Sequence, residues 1–147
     1  MTETDPYDLK RFVAAQEPVF ASALAELRAG RKRTHWMWFV FPQLCGLGRS
    51  PTATYYGIAS LDEARAYLAH PLLGPRLELC TNAVCGIEGR TLHEIFGSPD
   101  DMKFHSSMTL FAATSGDTAS PYRRALDRWW RGEADPATLL LLGRYEV

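Results

Sequence analysis

Residues 31–43 read RKRTHWMWFVFPQ, and the rest of the chain can be interpreted outward from this stretch. Three consecutive cations stand directly before two tryptophans and two phenylalanines, with a histidine and an amide among them. Burying that much aromatic surface beside full charges costs free energy unless the charges find partners. The stretch is therefore predicted to form the wall of a site rather than plain core.

The sequence on both sides of this stretch carries signals for the beginnings and ends of helices. Apolar residues recur at intervals of three and four, and Ser60, Ser98, Ser120 and Asp135 stand where N-caps are favoured. The last three of these precede prolines that suit a first helical turn, and glycines stand where the helices would end. Seven helices are predicted, over residues 8–16, 18–30, 60–70, 71–86 (or as far as 89), 98–114, 120–132 and 135–143.

The middle of the chain is harder to assign. Residues 36–41 fit a buried helical turn or a short strand, because periodicity cannot separate the two over so few residues. Residues 44–51 are rich in glycine, serine and proline and predict a loop, whereas residues 54–58 have the composition of a strand without an obvious partner. The predicted fold class is all-α, a compact multihelical domain of about seven helices, with a minor β pair in the middle as an option.

Composition limits the classes of function. A length of 147 residues suits one globular domain over residues 1–147, with residues 1–7 as a loose tail. The net charge of −1 gives no general reason for nucleic-acid or membrane binding, and the polar N-terminus does not resemble a signal peptide. Cys45, Cys80 and Cys85 lack the spacing of a zinc site, so we expect free thiols in a reducing cytoplasm, no metal and no cofactor.

Several residues of the opening stretch are candidates for ligand binding. Arg31 offers a bidentate fork to an anion, although the cations could equally interact with the negative end of the preceding helix. His35 beside these cations is predicted to favour the neutral ring and could transfer protons, or be a half-buried histidine bonded to backbone. Trp36 and Trp38 could stack on a ligand or belong to the core, and Gln43 could recognise a ligand or bond to buried backbone.

A second set of candidates lies on the helix predicted after Ser98. Lys103, Ser106 and Ser107 are spaced to share one face of that helix. Lys103 and Ser106 are candidate catalytic residues, a cation one turn from a nucleophile, and Ser107 is a candidate ligand-binding residue. The alternative is a helix that packs closely through small residues and leaves its lysine in solvent.

Four blocks of the chain resemble one bacterial family, the domain of unknown function numbered 1810, which often carries the label "calpastatin". The resemblance extends over nearly the whole chain and implies a small, mostly helical, cytoplasmic protein without an established activity. True calpastatins are extended and disordered, whereas this composition is that of a folded domain. The blocks are residues 8–12 (DLKRF), 30–43 (GRKRTHWMWFVFPQ), 70–77 (HPLLGPRL) and 106–111 (SSMTLF).

Residues 56–77 also show a distant similarity to the helical core of the NADAR proteins, which act on ADP-ribose and related N-glycosides.

These observations lead to two hypotheses about function. The first is a pocket for an anionic or nucleotide-like small molecule, with N-glycoside hydrolysis as a reaction, so that whether the protein is an enzyme stays open. The second is a non-catalytic protein-interaction module that uses exposed aromatic and arginine side chains around Trp129.

Overall fold

The structure is a computed structural model that describes residues 5–145, with side chains as far as residue 143. Helix accounts for 62% of the chain it describes, and no strand occurs in that part. This confirms the mainly helical fold class. The helices are α1 (Lys10–Gln16), α2 (Phe20–Arg28), α3 (Met37–Val40), α4 (Pro51–Tyr55), α5 (Leu61–Ala69), α6 (Leu73–Cys85), α7 (Leu92–Phe96), α8 (Asp100–Ser115), α9 (Pro121–Trp130) and α10 (Pro136–Tyr145).

Residues 5–145 contain ten helices rather than about seven, and the additional three are the shortest. Helices α3, α4 and α7 have only four or five residues each. Local signals nevertheless start two of them: Ser50 accepts a hydrogen bond from Ala53 N before α4, and Thr91 and Glu94 form a capping box at α7. Helices this short depend on tertiary packing for their stability.

The middle of the chain contains no β pair of the kind considered above. Within the described residues, Leu44 and Ile58 form an isolated parallel bridge, with Ile58 N donating to Gln43 O and Cys45 N donating to Ile58 O. The strand-like residues 54–58 are divided, because their first part ends α4. One residue pair is all that remains for pairing.

The capping predictions have different outcomes. Ser60 and Ser120 accept backbone hydrogen bonds from Glu63 N and Arg123 N, and Asp135 accepts one from Thr138 N at the start of α10. Ser98 was expected to cap α8 and does not. The helix begins two residues later, and the Ser98 hydroxyl lies 3.2 Å from Asp101 Oδ1.

Helix α8 forms the centre of the core. Phe104, Met108, Leu110 and Phe111 are fully buried on it, and α5, α7, α9 and α10 pack around it. A helix that is enclosed on all sides needs apolar or small residues around its whole circumference. The N-terminal half of α8 has one face toward residues 31–43 and another toward α7 and α9.

Two further observations concern the N-terminal residues and the lengths of the helices. Of the predicted tail over residues 1–7, residues 1–4 lie outside the described part, and Asp5 accepts hydrogen bonds from Leu9 N and Lys10 N. Within residues 5–145, every helix is too short or too polar to cross a membrane.

Candidate functional site

The cation-rich segment after α2 is fixed by one carboxylate. Glu26 accepts hydrogen bonds from Arg33 N, Thr34 N, Thr34 Oγ1 and the indole N–H of Trp36. Burial acts to raise the pKa of Glu26, but these hydrogen bonds outweigh it and lower the pKa to about 2. The turn between α2 and α3 is thus built around a negative charge.

Lys32 and Lys103 share the carboxylate of Asp100. Lys32 Nζ lies 3.0 Å from Asp100 Oδ2, and Lys103 Nζ lies 3.2 Å from Asp100 Oδ1. Only 7% of the Lys32 side chain is exposed, and 19% of the Lys103 side chain. The backbone N of Lys32 also donates to Ile95 O, so α7 helps to position this group.

Each of these two lysines lies over a tryptophan. Lys103 Nζ is 3.9 Å from the centroid of the Trp38 ring, and Lys32 Nζ is 5.0 Å from that of Trp36. An ammonium over an indole face is attracted by the negative face of the ring. We call Lys32, Trp36, Trp38, Asp100 and Lys103 the lysine–tryptophan cluster.

The two tryptophans differ in burial. Trp36 is 1% exposed and belongs to the core, while Trp38 is half-buried. The pattern of the sequence could not separate them, because the burial of each ring depends on tertiary packing. Trp38 is therefore the indole of the cluster that a ligand can reach.

Two of the candidate residues have a buried polar atom without a hydrogen-bond partner in the described structure, Ser107 Oγ on α8 and Gln43 Nε2 at the end of the residue 31–43 segment. Ser107 is one helical turn beyond Lys103 and Phe104, which contact Trp38 and Phe41 respectively. Helical periodicity places it on the side of α8 that faces the residue 31–43 segment. A buried hydroxyl without a hydrogen-bond partner costs free energy unless another group comes to satisfy it.

Arg31 and His35 are exposed at the surface of the same segment. Arg31 N donates to Glu26 O, and neither side chain makes a hydrogen bond or an ion pair with the described residues. They alternate along the chain with the inward-facing Lys32 and Trp36. Both are at the rim of the lysine–tryptophan cluster rather than inside it.

Ser106 belongs to a different contact. It is 8% exposed and its hydroxyl lies 3.0 Å from Asp135 Oδ2, at the start of α10. Thr138 Oγ1 donates to the same carboxylate oxygen. Of the candidate site residues, the structure thus brings Lys103 and Trp38 into contact and links Trp36 to them through Lys32 and Asp100, whereas Ser106 bonds to α10.

A cleft on the other side of α8 was not anticipated as a ligand site. It is a surface cleft, open to solvent, with a volume of about 430 Å³ between α7, α8 and α9. We call it the α7–α9 cleft. The residues that line it include Arg90, Asp101, Met102, His105, Trp129 and Trp130.

Sequence reasoning singled out the tryptophans of this cleft as an interface but did not connect them with Arg90 or His105. The His105 ring stacks on that of Trp130 with 4.0 Å between their centroids, and its Nε2 lies 2.8 Å from Glu133 O. Their separation along the chain hides this pairing. The available local signal was the capping box that starts α7 directly after Arg90.

The described residues contain no group of three or more histidine, cysteine, aspartate or glutamate side chains arranged to hold a metal ion. No disulfide joins Cys45, Cys80 and Cys85. Burial raises the pKa of the Cys80 thiol to about 12. Cys80 is therefore an inert core thiol.

Comparison with known proteins identifies relatives of this chain. No match was found among curated proteins. A conserved hypothetical protein of Mycobacterium tuberculosis, Rv1873, has a similar crystal structure, with 57% sequence identity and a TM-score of 0.91 over 95% of this chain and 99% of that one. Residues 6–142 match the family described as "Protein of unknown function (DUF1810)". The chain belongs to the DUF1810 family.

Proposed function

We propose that the protein binds an anionic, nucleotide-like small molecule at the lysine–tryptophan cluster, and that N-glycoside hydrolysis of the ADP-ribose type is the reaction it performs there. The observation that carries this proposal is the charge of the cluster. Two lysines share one carboxylate beside the half-buried indole of Trp38. Lys32, Lys103 and Asp100 sum to one positive charge, which the ionised Glu26 offsets on the Trp36 side, so the attraction for an anion is strongest beside Lys103 and Trp38.

Further support comes from two polar side chains, Ser107 on α8 and Gln43 at the end of the residue 31–43 segment. Ser107 and Gln43 can donate hydrogen bonds and lack acceptors in the described structure. Oxygen atoms of a phosphate or sugar would accept such bonds. Trp38 would pack against the ring of the ligand, Trp36 would support the wall from the core, and Arg31 at the rim would bind an anionic group.

The catalytic part of the proposal assigns roles by position. Lys103 would stabilise negative charge on the ligand, and the exposed His35 would transfer protons at the rim. Ser106 is the third candidate, and its attack on a ligand would require its hydroxyl to leave Asp135. We therefore expect activity to depend more on Lys103 and His35 than on Ser106.

The test is calorimetric titration of the protein with ADP-ribose, NAD and inorganic phosphate, together with a measurement of nicotinamide release from NAD. Replacing Lys103 with Gln is expected to weaken binding by roughly 10- to 150-fold, which corresponds to ~1.5–3 kcal/mol for a charged hydrogen bond. The matched control is Lys10→Gln, which removes a lysine that is 83% exposed on α1. Equal affinities of the two variants, or no binding of any of the three compounds, would contradict the proposal.

A further inference from the structure

The α7–α9 cleft combines aromatic walls with two opposite charges. Its volume of about 430 Å³ is within the range of small-molecule sites. Trp129, Trp130 and His105 supply ring surface, and Met102, with 66% of its surface exposed, lies at the opening. Aromatic surface together with an adaptable thioether suits a planar apolar group.

Arg90 brings a cation to this cleft, and, together with the hydrogen bond from Thr91 N, its charge helps to lower the pKa of the nearby Glu94 carboxylate. Among the described residues, its guanidinium takes part in no hydrogen bond or ion pair. Its stem passes the backbone of Gly30, where a Cβ atom would lie 3.1 Å from Arg90 Cδ. Gly30 also has a φ of +77°, so a glycine there serves both the turn after α2 and the path of Arg90. A free guanidinium fork matches the two oxygens of a carboxylate.

Asp101 supplies the opposite charge. Its Oδ1 accepts from Met102 N at 2.9 Å and lies 3.2 Å from the Ser98 hydroxyl, while Oδ2 faces the exposed His93 ring at 3.6 Å. Oδ2 therefore keeps lone pairs for a donor from the cleft. A simple anion would be attracted by Arg90 and repelled by Asp101, whereas a molecule with both charges satisfies both residues.

We infer that the α7–α9 cleft binds an α-amino acid with an aromatic side chain. Its carboxylate pairs with Arg90, its ammonium with Asp101 Oδ2, and its ring packs against the parts of Trp129 and Trp130 that the Arg128 guanidinium and the His105 ring leave uncovered. This site is separate from the lysine–tryptophan cluster, because Asp101 and His105 lie on the opposite side of α8 from Lys103 and Ser107.

The experiment follows the indole N–H resonances of ¹⁵N-labelled protein while unlabelled L-tryptophan is added, with the signals assigned from Trp129→Phe and Trp130→Phe. Indole-3-propionate lacks the ammonium and tryptamine lacks the carboxylate. We expect saturable shifts of the Trp129 and Trp130 signals with L-tryptophan, and affinities roughly tenfold or more weaker with each partial analogue, the scale of one charged hydrogen bond. Absence of saturable shifts at millimolar L-tryptophan, or tryptamine binding as tightly as L-tryptophan, would overturn the inference.

Two variants assign the charges. Arg90→Gln is expected to remove the higher affinity for L-tryptophan than for tryptamine. Asp101→Asn is expected to remove the higher affinity for L-tryptophan than for indole-3-propionate. Arg65→Gln, at an exposed arginine of α5, is the control and should change neither. If Asp101→Asn unfolds the protein, Arg90→Gln alone decides, because Arg90 makes no described bond that the fold needs. Lys103→Gln should leave these shifts unchanged, so that failure here and failure of the proposed function are distinguishable.

Discussion

The indole N–H of Trp36 lies 3.1 Å from Glu26 Oε1, and the same carboxylate holds the backbone of the two residues that precede His35. A buried tryptophan of the core is thereby tied to α2 through a charged acceptor. Lys32 lies over the ring of that tryptophan and reaches Asp100 of α8. Glu26 thus links the helix before the cation-rich segment to the lysine–tryptophan cluster after it.

Replacing Glu26 with Gln should destabilise the protein by about 1–3 kcal/mol, because the amide has one acceptor oxygen for donors that now share two. The measurement is the free energy of unfolding from urea denaturation. Glu88→Gln is the matched control at an exposed position, where the change should stay within about 0.5 kcal/mol. Equal unfolding midpoints for the two variants would contradict this role of Glu26.

The same carboxylate predicts a dependence of stability on pH. Because the pKa of Glu26 is about 2 in the folded protein against 4.5 for an ordinary glutamate, the unfolded chain takes up a proton first as the pH falls. The stabilisation is complete above pH 4.5 and is lost progressively between 4.5 and about 2. Free energies of unfolding measured across this interval should fall more steeply for the wild type than for Glu26→Gln. Parallel curves would be the contrary result.

The two tryptophans of the cluster should differ in their contribution to stability. Trp36→Ala is expected to lower the free energy of unfolding by about 3–5 kcal/mol, because the ring is fully enclosed. Trp38→Ala is expected to lower it by less, because its ring is half-buried. Urea denaturation of both variants provides the comparison. A larger loss for Trp38 would mean that the half-buried ring carries more of the packing than its burial indicates.

The long helices could be predicted from the sequence because their signals are local. Ser60, Ser120 and Asp135 cap the helices that follow them, and apolar residues recur at helical spacing. The short helices α4 and α7 escaped prediction, and for residues 36–41, which contain α3, the sequence left a helical turn and a strand open. One turn carries too little periodicity to decide, and its stability comes from tertiary contacts.

The candidate sites could be predicted only in part, for a related reason. The residue 31–43 segment was identified from charges next to aromatic residues, but its counter-ion Asp100 is distant in sequence. The convergence of Arg90, Asp101 and Trp130 on one cleft depends on how α7, α8 and α9 pack. Sequence spacing within a helix carries no information about such meetings between helices.

The ion pair between Arg11 and Glu63 is almost fully buried and has no free donors. The guanidinium nitrogens of Arg11 donate to Glu63 Oε2 and to the backbone oxygens of Tyr55 and Gly57, as well as to those of Tyr7 and Asp8. Removing one partner leaves a buried charge, so Glu63→Met should cost about 3–5 kcal/mol.

A double-mutant cycle checks this interpretation of the Arg11–Glu63 pair. The double variant Arg11→Met/Glu63→Met should lose less stability than the sum of the two single variants, because no isolated charge remains. The exposed pair of Arg65 and Asp62 is the matched control, with a coupling expected within about 1 kcal/mol. Strict additivity at Arg11 and Glu63 would show that the pair is not coupled.

Ser107 separates the requirements of the fold from those of the proposed ligand. Its hydroxyl is fully buried without a partner in the described structure, so Ser107→Ala should leave stability unchanged or raise it, since the cost of the unpaired group disappears. Thr114→Val is the control, because Thr114 Oγ1 donates to Leu110 O at 2.7 Å and its loss should destabilise the protein by about 0.5–1.5 kcal/mol. If the hydroxyl meets an anionic ligand at the lysine–tryptophan cluster, Ser107→Ala should weaken the binding of ADP-ribose even though the protein is at least as stable. Thermal denaturation and titration of the same two variants measure both effects, and a Ser107→Ala protein that is less stable yet binds as tightly as the wild type would assign the hydroxyl to the fold instead.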